Sequence, residues 1–139
     1  MSTDIGLVTT TYQVDNKQWL LSRHGTDHTP NVTLDISLFT AGTHYPNGYI
    51  PSGCVIGKVT ATGLFGPYDD AAVDGRETAY GITFAPVTAV RSNGTTATKV
   101  GTGALVHGVV SESKLPFQAG AGSVDANGMA DLKNIRFEA

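Results

Sequence analysis

From residue 32 the chain alternates strictly: Val32, Leu34, Ile36 and Leu38 are apolar, and Thr33, Asp35 and Ser37 stand between them. A two-residue period sends the two sets of side chains to opposite faces, so 32–38 predicts a half-buried strand. Val55 to Thr62 predicts a second strand, ended by Gly63. Ala79 to Ala85 and Val87 to Val90 predict two more, with Pro86 between them marking an edge or a bulge. Ala104 to Val110 predicts another, and Ile135-Arg136-Phe137 a last one that closes the sheet. The intervals hold turn formers: Pro46-Asn47-Gly48, Gly66-Pro67-Tyr68-Asp69-Asp70, Asp74-Gly75 and Ser92-Asn93-Gly94. Apolar positions rarely recur at helical spacing. The exception is Ala126 to Lys133, a short helix that Asp125 can cap and Gly128 weakens. The pattern is mainly β: a compact barrel-like or sandwich domain with one short helix.

Residues 1–31 read differently. They are polar and threonine-rich, with isolated large apolar residues at Tyr12, Val14, Trp19, Leu20 and Leu21. The expected division is an extended N-terminal arm over 1–46, carrying the strand at 32–38, and a β-rich core over 47–139. Trp19-Leu20-Leu21 admits two readings: it packs back on the chain's own core, or it anchors a partner, since large aromatic and aliphatic side chains carry most interface energy.

Composition narrows the function. A length of 139 residues fits one domain with a core of its own. Charged residues are only 15% of the chain, the net charge is −3, and Lys and Arg number 9, which argues against sequence-independent binding to nucleic acid. No apolar run approaches the roughly 18 residues of a membrane helix. Met1-Ser2-Thr3-Asp4 lacks the basic and apolar segments of a secretory signal, so a soluble setting is expected. Cys54, the one cysteine, lies in the apolar run Cys54-Val55-Ile56 and reads as an inert core thiol.

The search for catalytic groups returns bland readings. His24 and His28 flank Asp27, but Gly25 and Pro30 oppose the helix that would bring both imidazoles to one metal. His44 and His107 are isolated in sequence. Asp69, Asp70, Asp74 and Glu77 cluster without the spacing of a calcium loop, and they suit turn-forming and solvated roles. Gly101-Thr102-Gly103 and Gly120-Ala121-Gly122 lack the third glycine of a dinucleotide loop, and no serine sits in a Gly-x-Ser-x-Gly elbow. The expectation is a protein that is not an enzyme and uses no metal or cofactor.

One block carries a resemblance. Gly48-Tyr49-Ile50-Pro51-Ser52-Gly53-Cys54-Val55-Ile56-Gly57-Lys58 is followed by Gly66-Pro67-Tyr68-Asp69-Asp70-Ala71-Ala72-Val73-Asp74-Gly75-Arg76, then Ala79-Tyr80-Gly81-Ile82, Ala104-Leu105-Val106-His107-Gly108 and Lys114-Leu115-Pro116. Over roughly residues 47–139 this series resembles the head decoration proteins of tailed bacteriophages, the lambda type. The resemblance implies a β-rich homotrimer on the outer surface of the virion. It would sit at three-fold and quasi-three-fold positions of the expanded capsid, bind the major capsid protein and resist internal DNA pressure. It also implies an N-terminal arm that adds a strand to a capsid element. The expected capsid contacts are therefore Tyr12, Val14, Trp19, Leu20 and Leu21, and Pro67, Tyr68, Asp69, Asp74 and Gly75 are expected to be structural turn residues. The segment before residue 47 departs from the lambda pattern: it is longer, and it holds Trp19 and its own strand. Two other readings compete: a tail or adaptor component of a phage particle, and a β-sandwich module for sugar or peptide. The module needs a groove lined by aromatics, yet Tyr45, Tyr49, Tyr68 and Tyr80 lie near turns and strand ends.

Overall fold

The alternation that begins at Val32 becomes a stave of a closed barrel. The computed structural model describes residues 18–23, 25–27, 29–46, 48–91 and 94–138. Five strands close in the order β1 (Asn31–Asp35), β4 (Phe65–Pro67), β3 (Val55–Lys58), β5 (Ala79–Thr83) and β7 (Lys99–Leu105), with β7 pairing back to β1. Only β1 and β4 run parallel, through Leu34 and Phe65; the other pairs are antiparallel. Closure leaves no barrel edge for unintended pairing. Two smaller sheets complete the fold: β2 (Tyr49–Ile50) with β6 (Val87–Thr88), and β8 (Gly108–Ser111) with β9 (Ile135–Glu138).

The barrel wall separates two apolar clusters. Val32, Leu34, Ile36, Ile56, Phe65 and Ala104 belong to the first. Their neighbours of opposite parity, Val55 and Leu105, join Trp19, Tyr68, Ile82, Val110, Leu132 and Ile135 in the second. This explains the unbroken run Cys54-Val55-Ile56: β3 is buried on both faces, so it has no polar side to alternate with. Burial also pushes the Cys54 thiol well above its ordinary value, consistent with an inert core residue.

Several expectations need correction. The division at residue 46 does not separate an arm from the core, because β1 is a barrel strand paired along its whole length with β7. The strand also stops at Asp35 rather than reaching Leu38. The Asp35 carboxylate accepts from the Ser37 backbone N–H (3.1 Å) and the Ser37 hydroxyl (2.6 Å), which turns Ile36–Leu38 into a 3-10 helix. The stretch 104–110 is two strands with a turn at Val106-His107, where the loop at Gly25 packs so closely that a Cβ there would strike the His107 carbonyl. The last strand does not close the barrel; β9 pairs in parallel with β8 outside it.

The helix expected after Asp125 is present as α2 (Ala126–Asp131), and Asp125 Oδ1 accepts from the Gly128 N–H at 2.7 Å. Gly128, the weak helix former, is where α2 lies on Tyr68: a Cβ there would sit 3.2 Å from the phenol ring. A second short helix, α1 (Ala41–His44), was not expected from the sequence. Its His44 is buried between Phe39 and Phe117 (ring centroids 5.4 and 5.2 Å). The Thr40 N–H donates to Nδ1 (2.9 Å) and Nε2 pairs with the Ala121 carbonyl (2.8 Å). A backbone N–H must donate, so Nδ1 accepts and Nε2 carries the proton.

Candidate capsid-contacting surface

The expected contact residues fall in three places. Tyr12 and Val14 lie outside the described residues. Trp19 is 0% exposed and belongs to the second core. Its Nε1–H donates to Ser52 Oγ (3.2 Å), and its indole lies over Gly53, where a Cβ would be 3.0 Å from Nε1. Gly53 has φ +98°, a conformation glycine adopts freely. Trp19 therefore packs on its own chain, the first of its two readings. Leu20 packs partly against the same core, and Leu21 is 42% exposed. The backbone here runs beside β8: the Leu21 N–H donates to the Val109 carbonyl (3.1 Å) and the Ser111 N–H to the Trp19 carbonyl (2.7 Å). Of the trio, Leu21 is the side chain left to solvent.

Of the expected turn residues, Pro67 is instead the last residue of β4, paired across the ladder with Ile56, and the chain turns only after it into the braced loop 69–77. Pro67 and Tyr68 are buried. The Tyr68 hydroxyl donates to Asp125 Oδ1 (2.8 Å) and leans toward Asp70 Oδ1 (3.4 Å), while Asn127 Nδ2 donates to Asp70 Oδ2 (2.9 Å). Burial first, and then the hydrogen bond to Asp125, push the Tyr68 phenol well above its ordinary value, so it remains a donor. Asp69 accepts from the Ala71 N–H (3.0 Å), and Glu77 from the Gly75 N–H (2.8 Å). Asp74 holds Arg76 by its Nε (3.0 Å) and by its backbone N–H (3.2 Å). Desolvation pushes the Asp74 carboxyl up, but these Arg76 contacts outweigh it and hold the carboxyl below the usual range. The acidic cluster is thus occupied in shaping the loop 69–77, which is docked on the barrel where the Thr60 N–H meets the Asp74 carbonyl (2.9 Å). At the loop's tip Val73 is 96% exposed.

Sequence reasoning missed the loop's exit. In the β3–β5 ladder Ile56 faces Gly81 and Gly57 faces Ala79, so Tyr80 has no partner across the ladder and forms a bulge. The bulge turns Tyr80 outward, 38% exposed, with its ring against Phe65 (centroids 4.8 Å). Beside the bulge, the Ala79 N–H donates to Asp131 Oδ2 of α2 (3.1 Å). An open groove of about 430 Å³ runs beside it, lined by Lys58, Thr60, Gly75, Glu77, Thr78 and Tyr80. His107 lies in an exposed turn rather than in a strand, and His24 and His28 lie outside the described residues. Among the described residues no group of three His, Cys, Asp or Glu side chains could hold a metal ion, and no helix is long and apolar enough to cross a membrane.

The site is thus a closed barrel carrying a loop whose carboxylates are tied back to the loop's own backbone. The family model described as "Bacteriophage lambda head decoration protein D" matches residues 10–137, and the chain belongs to that family. No curated protein matches the chain. Membership makes this a structural component of a phage capsid, associated with the head.

Proposed function

We propose that the protein binds the outside of the expanded phage head as a trimer, at three-fold and quasi-three-fold positions, and stabilises the shell against the pressure of packaged DNA. Its partner is the major capsid protein; it touches neither nucleic acid nor membrane and catalyses no reaction. The observation that carries this reading is the family match across residues 10–137, which spans every barrel strand and the braced loop 69–77. Three protomers per assembly turn weak single contacts into avid ones. The arm contributes through Tyr12, Val14 and the exposed Leu21, and an extended segment that adds to a sheet edge supplies main-chain hydrogen bonds. Trp19 acts one step back: seated in the core, it fixes the root from which the arm leaves.

A ligand that binds only the intact shell stabilises it by mass action, by about 2.7 kcal/mol per site at a hundredfold excess over Kd. Expanded heads lacking the protein are therefore expected to open at a higher temperature, and to resist chelator longer, once saturated with it, with their DNA content unchanged. Bare and saturated heads opening at the same temperature would remove the reinforcing role.

A further inference from the structure

We infer that the outer edge of β9 is a strand-accepting surface, and that in the free protein it takes residues 8–14 of a neighbouring copy of this chain. The small sheet outside the barrel has β8 in its middle. Residues 19–21 line one side of β8, antiparallel to it through the Leu20–Val110 bridge, and β9 lies parallel on the other side. Among the described residues, no strand pairs with the far side of β9.

The Gly108 N–H donates to the Asn134 carbonyl (3.2 Å), and this sets the phase of the parallel ladder. The backbone groups of Arg136 and Glu138 then face β8, and the Phe137 N–H and carbonyl point away from it. Such outward groups are a template for a further strand. The strand β9 carries neither proline nor bulge, and its charges cancel, with Arg136 Nε meeting Glu138 Oε1 (3.1 Å). Ile135 is buried in the second core and Phe137 is half-buried against it, so a strand added here would extend that core over the Phe137 ring.

The occupant follows from the chain that precedes the sheet. Residues 8–14, Val-Thr-Thr-Thr-Tyr-Gln-Val, are uncharged, free of glycine and proline, and rich in the β-branched and aromatic residues that suit a pleated strand. Val8, Tyr12 and Val14 share one parity, as a strand laid beside Phe137 requires. The chain enters the sheet at Trp19, on the side opposite the open edge. A strand beyond β9 lies three strand spacings from residues 19–21, about 14 Å. The link 15–18 spans about 14 Å at full extension, which leaves no slack to pass around β8 and β9. The edge of its own copy is out of the arm's reach, and that of a neighbouring copy is not. An exchange of this kind is head-to-tail, the type of contact that closes into a ring, and three copies make the trimer proposed above. The arm then has two competing acceptors: a neighbour's β9 in the free protein, and the shell in the assembled head.

Hydrogen exchange on the free full-length protein tests the exchange of arms without any heads, so its failure leaves the capsid-binding reading standing. It is measured above and below the concentration at which the oligomer dissociates. The expected result is protection of tenfold or more at the Phe137 amide and at alternate amides of 8–14, lost on dilution while the β1–β7 ladder stays protected. Fast exchange at these amides in the oligomer overturns the inference, and so does a protein that is monomeric at every concentration. Protection that survives dilution to the monomer also overturns it, because the arm would then lie on its own copy. Phe137→Pro removes the ring and the outward N–H, and Phe137→Ala removes the ring alone, so their difference isolates the edge. Phe137→Pro is expected to raise the oligomer dissociation constant at least tenfold above that of Phe137→Ala; equal constants overturn the inference. The arm variant carrying Thr10→Pro and Thr11→Pro leaves β9 untouched and is expected to weaken the oligomer likewise, with the β1–β7 ladder still protected. A wild-type dissociation constant in that variant overturns the inference as well.

Discussion

Replacing Trp19 with Ala is expected to destabilise the free protein by about 3–5 kcal/mol, the range for deleting a large aromatic from a core. The indole is fully buried with Val55, Tyr68, Leu105 and Val110 in the second core, and its removal leaves both a cavity and the Ser52 hydroxyl without that partner. For a chain of this length the melting temperature should fall on the order of ten degrees. The same measurement separates the two readings that the sequence allowed. A side chain held out as a capsid anchor would leave the free protein's melting unchanged on truncation and weaken only shell binding. A large loss of stability in the free protein places Trp19 in the fold.

Gly75→Val is expected to cost about 3 kcal/mol or more, the sum of a strained backbone and a forced displacement. Gly75 has φ +115°, in the region that a β-branched residue adopts only under strain. A Cβ there would also strike the Lys58 carbonyl and come within 2.5 Å of Thr60 Oγ1, so the loop 69–77 would have to lift from the barrel. The readout is again thermal or denaturant unfolding. A melting temperature equal to the parent's would show that the loop is not seated as described.

What could be read from the sequence was local. The alternation from Val32 to Ile36 and the cap at Asp125 each depend on residues within a few positions, and both were legible. So was the unbroken apolar run at Cys54, although its cause, burial on both faces of β3, was not. The placement of β1 in the barrel was not legible, because its partners on β7 are separated from it by more than sixty residues, as the pairing of Asn31 with Gly103 illustrates. Trp19 stayed ambiguous for the same reason: its hydrophobicity demands a pocket but does not say whose, and Ser52 and Gly53, which form the seat, are distant in sequence. The helix α1 has only Ala41-Gly42-Thr43-His44, too short for a periodic signal, and is held by contacts of His44 with Phe117 and Ala121. The bulge at Tyr80 is a property of register between two strands, which neither strand shows alone. The turn residues Asp69, Asp74 and Gly75 were legible as turns. That they leave Val73 exposed at the tip was not.

The central claim is that this protein sits on the outer face of the expanded head as trimers, and a density map of decorated heads tests it most directly. The predicted map shows three-lobed density outside the shell at the three-fold and quasi-three-fold positions, each lobe fitted by one barrel. Density at the tail or connector alone, or single barrels without three-fold grouping, would contradict it.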